Sequence, residues 1–315
     1  MADPEPEPTE LPRGIALAWG VAANPQRGPK REMSVERIVE TAVELADAEG
    51  IGAVSMAAVA KRLGFTPMSL YRYVSAKDDL LLLMQEEATG VPSSAHRQAE
   101  GWRERLNLLF REQVEVYIRH PWLLSLPISG SPITPNNSMW LEVSLEALEG
   151  QPLESEERLA IALAVTGCAR WAGTVEAGYA EESRRTGLLP EEISAREGAL
   201  YDAVISADEY PRLRAAIDAG VFVSEHDPFA FGLERLLDGV ESYLRSRTDG
   251  APAALVAEWR SPHDSDVADD KRYRAAVKAA AEAEKAVRQA EKALRQARRA
   301  QEQALRDARV RAKQP

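Results

Sequence analysis

At 315 residues the chain has room for about two domains, and 45% apolar with 28% charged residues is an ordinary globular composition. A net charge of −11 predicts overall repulsion from nucleic acid, no apolar run approaches the roughly 18 residues that span a bilayer, and the acidic, proline-rich start MADPEPEPTE is the reverse of a secretory signal. A soluble cytoplasmic protein is expected, and the single cysteine, Cys168, excludes an intramolecular disulfide.

Residues 1–26 carry five prolines and little periodicity, and are expected to be disordered. From Ser34, a plausible N-cap, Val35, Ile38, Ala42, Leu45 and Ala46 recur at helical spacing up to Gly50. Ser55 can cap a second helix to Leu63, with Val54 and Val59 as its staple. Gly64 can end that helix in the left-handed conformation. Thr66 caps a third over 67–73, with Pro67 at the first helical position and Phe65 stapled to Leu70. Ser75 and Asp78 make a capping-box-like start for a fourth. The second and third of these helices, joined by a short turn, form a helix-turn-helix, and residues 27–86 are assigned to a DNA-binding domain.

On the helix after Thr66, Leu70 and Val74 share the side that faces a core. Met68 and Arg72 fall opposite, flanked by Ser69 and Tyr71. The major groove admits such a helix, whose N-terminal side chains reach base edges while hydroxyls and lysines hold phosphates. From Ser55 to Lys77 there are Lys61, Arg62, Arg72 and Lys77 and no acid, a local +4 within a chain of −11. Charges beyond roughly 8 Å are largely screened at physiological salt, so the local field governs contact. Arg27, Lys30 and Arg31 in QRGPKR form a basic arm suited to phosphates or the minor groove.

The stretch GPKREMSVERIVETAVELADAEGIGAVSMAAVAKRLGFTPMSLYRYVSAKDDLL resembles the N-terminal domain of TetR-family transcriptional regulators over about 55 residues. The shared features are the helix ending AEGI, the S-x-x-x-V-A-x-x-L-G helix, the LYRYV recognition helix and the K-x-x-L that follows. The resemblance implies phosphate contacts from Tyr71 and Lys77. It also implies a base-reading and positioning surface of Thr66, Pro67, Met68, Ser69, Arg72 and Tyr73, with Ser55 beside it. WRERLNLLFREQVEVYIRHPWL and the helix over 157–180 are similar to the C-terminal domain of the tetracycline-repressor branch. In that branch histidines help hold a metal-bound drug; His96, His120, His226 and His263 here fit no metal-binding spacing, and neither a metal nor a cofactor is expected.

Residues 97–248 read as helix after helix with no sustained strand alternation, giving an all-α ligand-binding and dimerisation domain. A small-molecule effector is expected in a cavity lined by Trp102, Asn107, Phe110, Gln113, Tyr117, Trp122, Trp140, Arg170, Trp171 and Tyr179. The aromatics among these would otherwise simply be core. The apolar run Leu233, Leu236, Leu237, Val240 and Leu244 is assigned to a two-fold interface with a second copy. A linker over 249–270 leads to a long helix, 271–315, with a seven-residue alanine period. From 269 onward 14 basic residues face 7 acidic, so the tail is +7 and the remainder −18. Its heptad column Tyr273, Ala280, Val287, Leu294, Gln301 and Ala308 is a poor coiled-coil seam. Intrahelical pairs such as Glu284 with Arg288 and Glu291 with Arg295 fit a solvated helix instead. No catalytic constellation, phosphate loop or nucleophile elbow is present.

A homodimeric, ligand-responsive repressor of a palindromic operator in double-stranded DNA follows. The alternative is a DNA-localised interaction protein that recruits a partner through the C-terminal helix.

Overall fold

The computed structural model describes residues 11–21, 33–127, 133–224, 226–253, 267 and 269–312, and every regular element among them is helical. The chain divides into two compact units, 1–253 and 254–315.

Of residues 1–26, expected to be disordered, the first unit describes 11–21, and there Arg13–Ala18 forms a helix, α1, packed on α5 (Lys77–Thr89); the rest of that stretch lies outside the described residues. Gly14 permits this approach: a Cβ there would stand 2.9 Å from Asp79 Oδ1 and 3.3 Å from the Asp79 Cα. Leu17 and Ala18 extend the buried cluster, and Trp19 Nε1 donates to the Ile133 carbonyl at 2.9 Å. Six residues are too few to hold a helix alone, so packing stabilises α1, and a periodicity search cannot see that.

α2 (Val35–Glu49), α3 (Met56–Leu63), α4 (Pro67–Tyr71) and α5 enclose one core in which Ile38, Val59, Leu70, Val74, Leu80 and Met84 are fully buried. The caps act largely as expected. Ser34 Oγ accepts from the Arg37 N–H at 3.2 Å and Ser55 Oγ from the Ala58 N–H at 3.1 Å. Gly64 ends α3 at φ 78°, in the left-handed region that disfavours other residues. Two details differ. Thr66 holds the N-cap position of α4, but its hydroxyl pairs with Ser69 Oγ at 2.9 Å and takes no backbone N–H. α5 begins at Lys77 after Ala76, and the Ser75 hydroxyl donates to Asp79 at 2.9 Å in place of a box with Asp78.

Among the described residues six further α-helices follow in this unit: α6 (Gly101–Arg119), α7 (Pro135–Ala147), α8 (Ser155–Thr186), α9 (Pro190–Val204), α10 (Pro211–Asp218) and α11 (Pro228–Thr248). Leu106, Leu109, Val143, Leu148, Val165, Ala169 and Leu237 bury their side chains between α6, α7, α8 and α11. α6 and α8 cross at Gly173, where a Cβ would lie only 2.7 Å from Tyr117 Cβ. Arg103 on α6 ties α11 down through Glu234, through Asp238 at 2.6 Å and through Glu241 at 3.3 Å. A further contact ties α11 to α8, where Glu157 is buried in the first turn. It accepts from the Tyr243 hydroxyl and from the Glu154 N–H at 2.7 Å.

The second unit holds α12 (Lys271–Ala312), a 42-residue helix opened by Asp270, whose Oδ1 accepts from the Arg272 and Tyr273 N–H groups at 2.9 and 2.8 Å. Glu284 and Arg288 form the expected pair at 3.7 Å. The side chain of Arg295 lies outside the described residues, and with it the pair to Glu291.

Candidate nucleic-acid interface and effector cleft

The outward face of α4 is built by what its inward face spends. Leu70 and Val74 are fully buried, and at 100° per residue this turns Met68, Tyr71 and Arg72 outward. Met68 is 75% exposed and Tyr71 44%, large fractions for side chains of that polarity and size. Thr66, Pro67, Arg72 and Lys77 are exposed with them, Ser69 is half-buried under its bond to Thr66, and Ser55 is exposed at the start of α3. Tyr73 is the exception. It is buried in the core of the helix-turn-helix unit, since it lies three residues from Leu70 on the inward side, and it cannot offer its ring to a groove.

The local charge is also smaller than the acid-free stretch implies, because Glu49 at the end of α2 reaches Arg62 at 3.3 Å. Among the described residues Arg72 and Lys77 are exposed cations at and after the end of α4, and Lys61 is exposed on α3. Arg27, Lys30 and Arg31 lie outside the described residues.

Two carboxylates join these helices to the larger helical domain: Glu86 on α5 accepts from the Asn136 N–H at 2.6 Å, and Asp47 makes the second junction. Asp47 Oδ1, near the end of α2, accepts from Trp122 Nε1 at 2.7 Å and stands 2.8 Å from His120 Nδ1, both just beyond α6. Trp122 is therefore buried in the core of the helix-turn-helix unit and does not line an effector cavity.

The other residues assigned to that cavity do not converge either. Trp102, Phe110 and Trp140 pack on the second core, and Trp140 Nε1 donates to the Gly90 carbonyl at 3.0 Å. Asn107 donates to Glu234 at 3.0 Å. Arg170 donates to the Leu124 carbonyl at 3.2 Å and lies 5.9 Å over the Tyr117 ring. Trp171 is 63% exposed. Gln113 is buried with its Oε1 unpartnered, and so is His96 with its Nε2.

Only Tyr179 reaches the described cleft, an open space of about 500 Å³ between α8 and α9. Thr174, Val175, Gly178 and Glu182 line it from α8; Ile193, Arg196, Glu197 and Leu200 from α9. The Tyr179 hydroxyl donates to Glu197 at 2.7 Å, and that bond, with burial second, pushes its pKa up to about 12. It is a fixed donor across the physiological range. On the same helix Glu176 is raised above the ordinary carboxylate range by burial and by Asp227. Sequence reasoning missed this cleft because its α9 wall, of mixed charge and few aromatics, reads as an ordinary solvated face.

The assigned interface residues are also corrected. Leu233, Leu237, Val240 and Leu244 are buried within their own protomer, and Leu236 is partly buried there. The outward face of α11 carries Phe231, Gly232, Arg235 and Gly239 instead; that of α8 carries Leu163, Gly167 and Trp171. Cys168 is half-buried against the second core. Among the described residues no group of three or more His, Cys, Asp or Glu is placed to hold a metal, and no helix is long and apolar enough to cross a membrane.

Residues 38–84 match the family described as bacterial regulatory proteins, tetR family, and residues 95–244 match the tetracyclin repressor-like C-terminal domain. The HTH-type transcriptional repressor DrrR1 of Streptomyces coeruleorubidus is 34% identical over 239 residues, covering 76% of this chain and 88% of its own. An HTH-type transcriptional repressor of Mycobacterium tuberculosis is 27% identical over 239 residues, 73% of this chain and 89% of its own. Among solved structures, apo ActR from Streptomyces coelicolor aligns with a TM-score of 0.51 at 23% identity, over 71% of this chain and 100% of that one. A TetR regulator of the same organism gives 0.52 at 22% identity, over 67% and 98%. Both support the fold.

Proposed function

The chain belongs to the TetR family of bacterial regulatory proteins, a family of DNA-binding transcription regulators and not of enzymes, and from that premise we propose how its own residues carry the function. It is a transcriptional repressor that binds its operator as a homodimer and leaves it when a small molecule enters the helical domain. The observation that carries this reading is the solvent-facing surface of α4, where Met68, Tyr71 and Arg72 stand exposed on a helix anchored by Leu70 and Val74. Tyr71 and Lys77 hold phosphates. Arg72 reads a base edge, with Thr66, Pro67, Met68 and Ser69 setting the depth of entry.

The second copy docks on the outward faces of α8 and α11. Gly167, Gly232 and Gly239 meet nothing within 4 Å of an added Cβ in the protomer, so their own fold does not require glycine there. Glycine inside a helix costs about 1 kcal/mol relative to alanine, and close approach of another helix accounts for keeping it. Leu163, Trp171 and Phe231 add the apolar surface. Two-fold pairing presents two α4 helices to successive major grooves of a palindrome, about 34–36 Å apart.

Effector entry at the α8–α9 cleft would shift α8. α8 crosses α6, and α6 leads into the His120 and Trp122 contacts with Asp47, so the α4 spacing would change. The donors Tyr179 and Arg196 and the acceptor Glu197, with apolar Ile193 and Leu200, suit a polar aromatic molecule with both donors and acceptors. A gel-shift assay on DNA upstream of the gene, repeated with candidate small molecules, tests this. Binding to random and upstream duplexes with equal affinity would overturn the operator reading, and undiminished release of Tyr179→Phe by a molecule that releases the unsubstituted protein would move the effector elsewhere.

A further inference from the structure

The tail helix carries a pattern that the helix-turn-helix reading does not use. Lys271, Lys278, Lys285, Lys292, Arg299 and Arg306 follow one another at seven-residue intervals, six consecutive positions of one heptad column and every one of them basic. Seven residues fall about 20° short of two full helical turns, so the six positions trace a shallow left-handed spiral that drifts about 100° around α12 from first to last. Arg274, Arg288, Arg295 and Arg309 occupy the adjacent row, about 40° away. Two acids flank the column, Glu282 and Glu302, while Glu284, Glu291 and Asp307 lie about 100° or more from it. The other side is written in alanine, including Ala276, Ala283, Ala290 and Ala297.

Helix stability does not call for this arrangement. Intrahelical ion pairs need acids interleaved with bases, as in Glu284 with Arg288 at 3.7 Å and Lys278 with Glu282 at 3.9 Å, but the column has only Glu282 and Glu302 at such spacing for Lys278, Lys285, Arg299 and Arg306, and Lys271 and Lys292 have no acid three or four residues away. Lys278, Lys285 and Lys292 are exposed within their unit. A column of like charges spread over 35 residues, about 52 Å, is complementary to a surface of evenly repeated negative charge, longer than one duplex turn. The alanine side is too small to anchor in a lipid surface, and the Tyr273, Val287, Leu294 and Gln301 series is a poor seam for pairing two copies.

We propose that α12 is a second DNA-binding element, which lays its basic column against duplex phosphates without reading sequence. It extends the DNA-binding reading to a separate part of the chain and does not depend on which operator α4 recognises. The consequence is kinetic as well as thermodynamic, since a sequence-blind grip holds the protein near DNA while α4 searches for its site.

The test compares the full chain with a variant in which all six column residues are replaced by Gln, and with one in which the four lysines are replaced by Arg. Anisotropy titrations use a random 40-base-pair duplex and the upstream duplex between 50 and 200 mM KCl. Each phosphate contact contributes about 0.9 to the slope of log K against log salt, so the Gln variant should lose up to about 5 from that slope. Its affinity for random DNA should fall on the order of 10- to 100-fold at 100 mM salt. The Arg variant should match the unsubstituted chain. Circular dichroism of the Gln variant checks that the helix persists.

An unchanged slope overturns the proposal. So does a rise in affinity on neutralisation, which would mean that the tail covers acidic surface of its own chain, or a change in sedimenting mass with the slope retained, which would make a second copy its occupant. Failure of the unsubstituted chain to prefer upstream over random duplex would sink the operator reading and leave the slope comparison intact.

Discussion

Replacing Gly173 with alanine sets two effects of opposite sign against each other at the crossing of α6 and α8. Alanine gains about 1 kcal/mol of helix propensity over glycine in a helix interior. A buried methyl adds at most about 0.8 kcal/mol of transfer free energy. Against these, the new Cβ would lie 2.7 Å from both Cβ and Cδ2 of Tyr117 and 3.0 Å from its Cγ. Carbon pairs prefer about 3.5–4.0 Å, so the compression approaches 1 Å. Rotating the ring does not relieve it, because Tyr117 Cβ is fixed to the backbone of α6. The helices must separate, and that loosens Leu106, Leu109, Val165 and Ala169 packed between them.

Overpacking of this kind costs about 1–3 kcal/mol, and opening the surrounding packing places Gly173→Ala at the upper end. After the propensity gain, the net expectation is a loss of about 1–2 kcal/mol. For a unit of this size that lowers Tm by roughly 2–8 °C. Gly198→Ala on α9 is the control. It has the same propensity gain, but its nearest neighbour is Phe222 Cβ at 3.4 Å, an ordinary contact, so it should be neutral or stabilising. Urea denaturation of both variants at one protein concentration gives the comparison. A Gly173→Ala midpoint at or above that of Gly198→Ala would refute the close-crossing argument.

Four further outcomes are expected. Arg72→Ala should cost roughly 1–3 kcal/mol on the operator and relax preference at one position per half-site, whereas Lys77→Ala should weaken operator and random duplex alike; equal losses for Arg72→Ala in a competition gel shift would reassign it to phosphate. Gly14→Val should displace α1 from α5 at about 1–3 kcal/mol of local strain, read as faster hydrogen exchange over residues 13–18, and unchanged exchange would dismiss the docking. The Tyr243 hydroxyl, followed by the Glu154 N–H, holds the buried Glu157 carboxyl below its usual range. Its stabilisation is therefore complete above the unfolded value near 4.3 and lost as pH falls through the lower folded value, so the gap in urea midpoint between the unsubstituted chain and Glu157→Gln should close with acid. Phe231→Glu, on the outward face of α11, should dissociate the dimer in sedimentation while Leu237→Glu unfolds the protomer; a dimeric Phe231→Glu would remove that face from the interface.

The helix-turn-helix was legible because its signals are local. Ser34, Ser55, Gly64 and Pro67 each punctuate the chain within a turn of the element they bound, and the structure keeps all four in those places. Tyr73 was misjudged by the same local logic: the LYRYV motif groups it with Tyr71, yet two residues along a helix is a rotation of about 200°, enough to move one tyrosine to solvent and the other into the core. Long-range partners were invisible. Nothing near α2 announces that Asp47 will take bonds from His120 and Trp122, or that Glu49 will reach Arg62.

The proposed dimer face shows most clearly what periodicity leaves open. Leu233, Leu237, Val240 and Leu244 are correctly an apolar stripe, but a stripe says only that something covers it, and α6 and α8 of the same protomer do so. A helix serving two interfaces must spend its strongest apolar residues on the one that forms first and is never exposed. What remains for the proposed partner is the weaker-looking side, where Phe231, Gly232 and Gly239 are exposed. Glycine there carries no hydrophobic signal at all, and its meaning emerges only when the structure leaves open space above it. A reading that ranks faces by hydrophobicity will therefore name the core of such a helix as its interface, and the exposed glycines are the better guide.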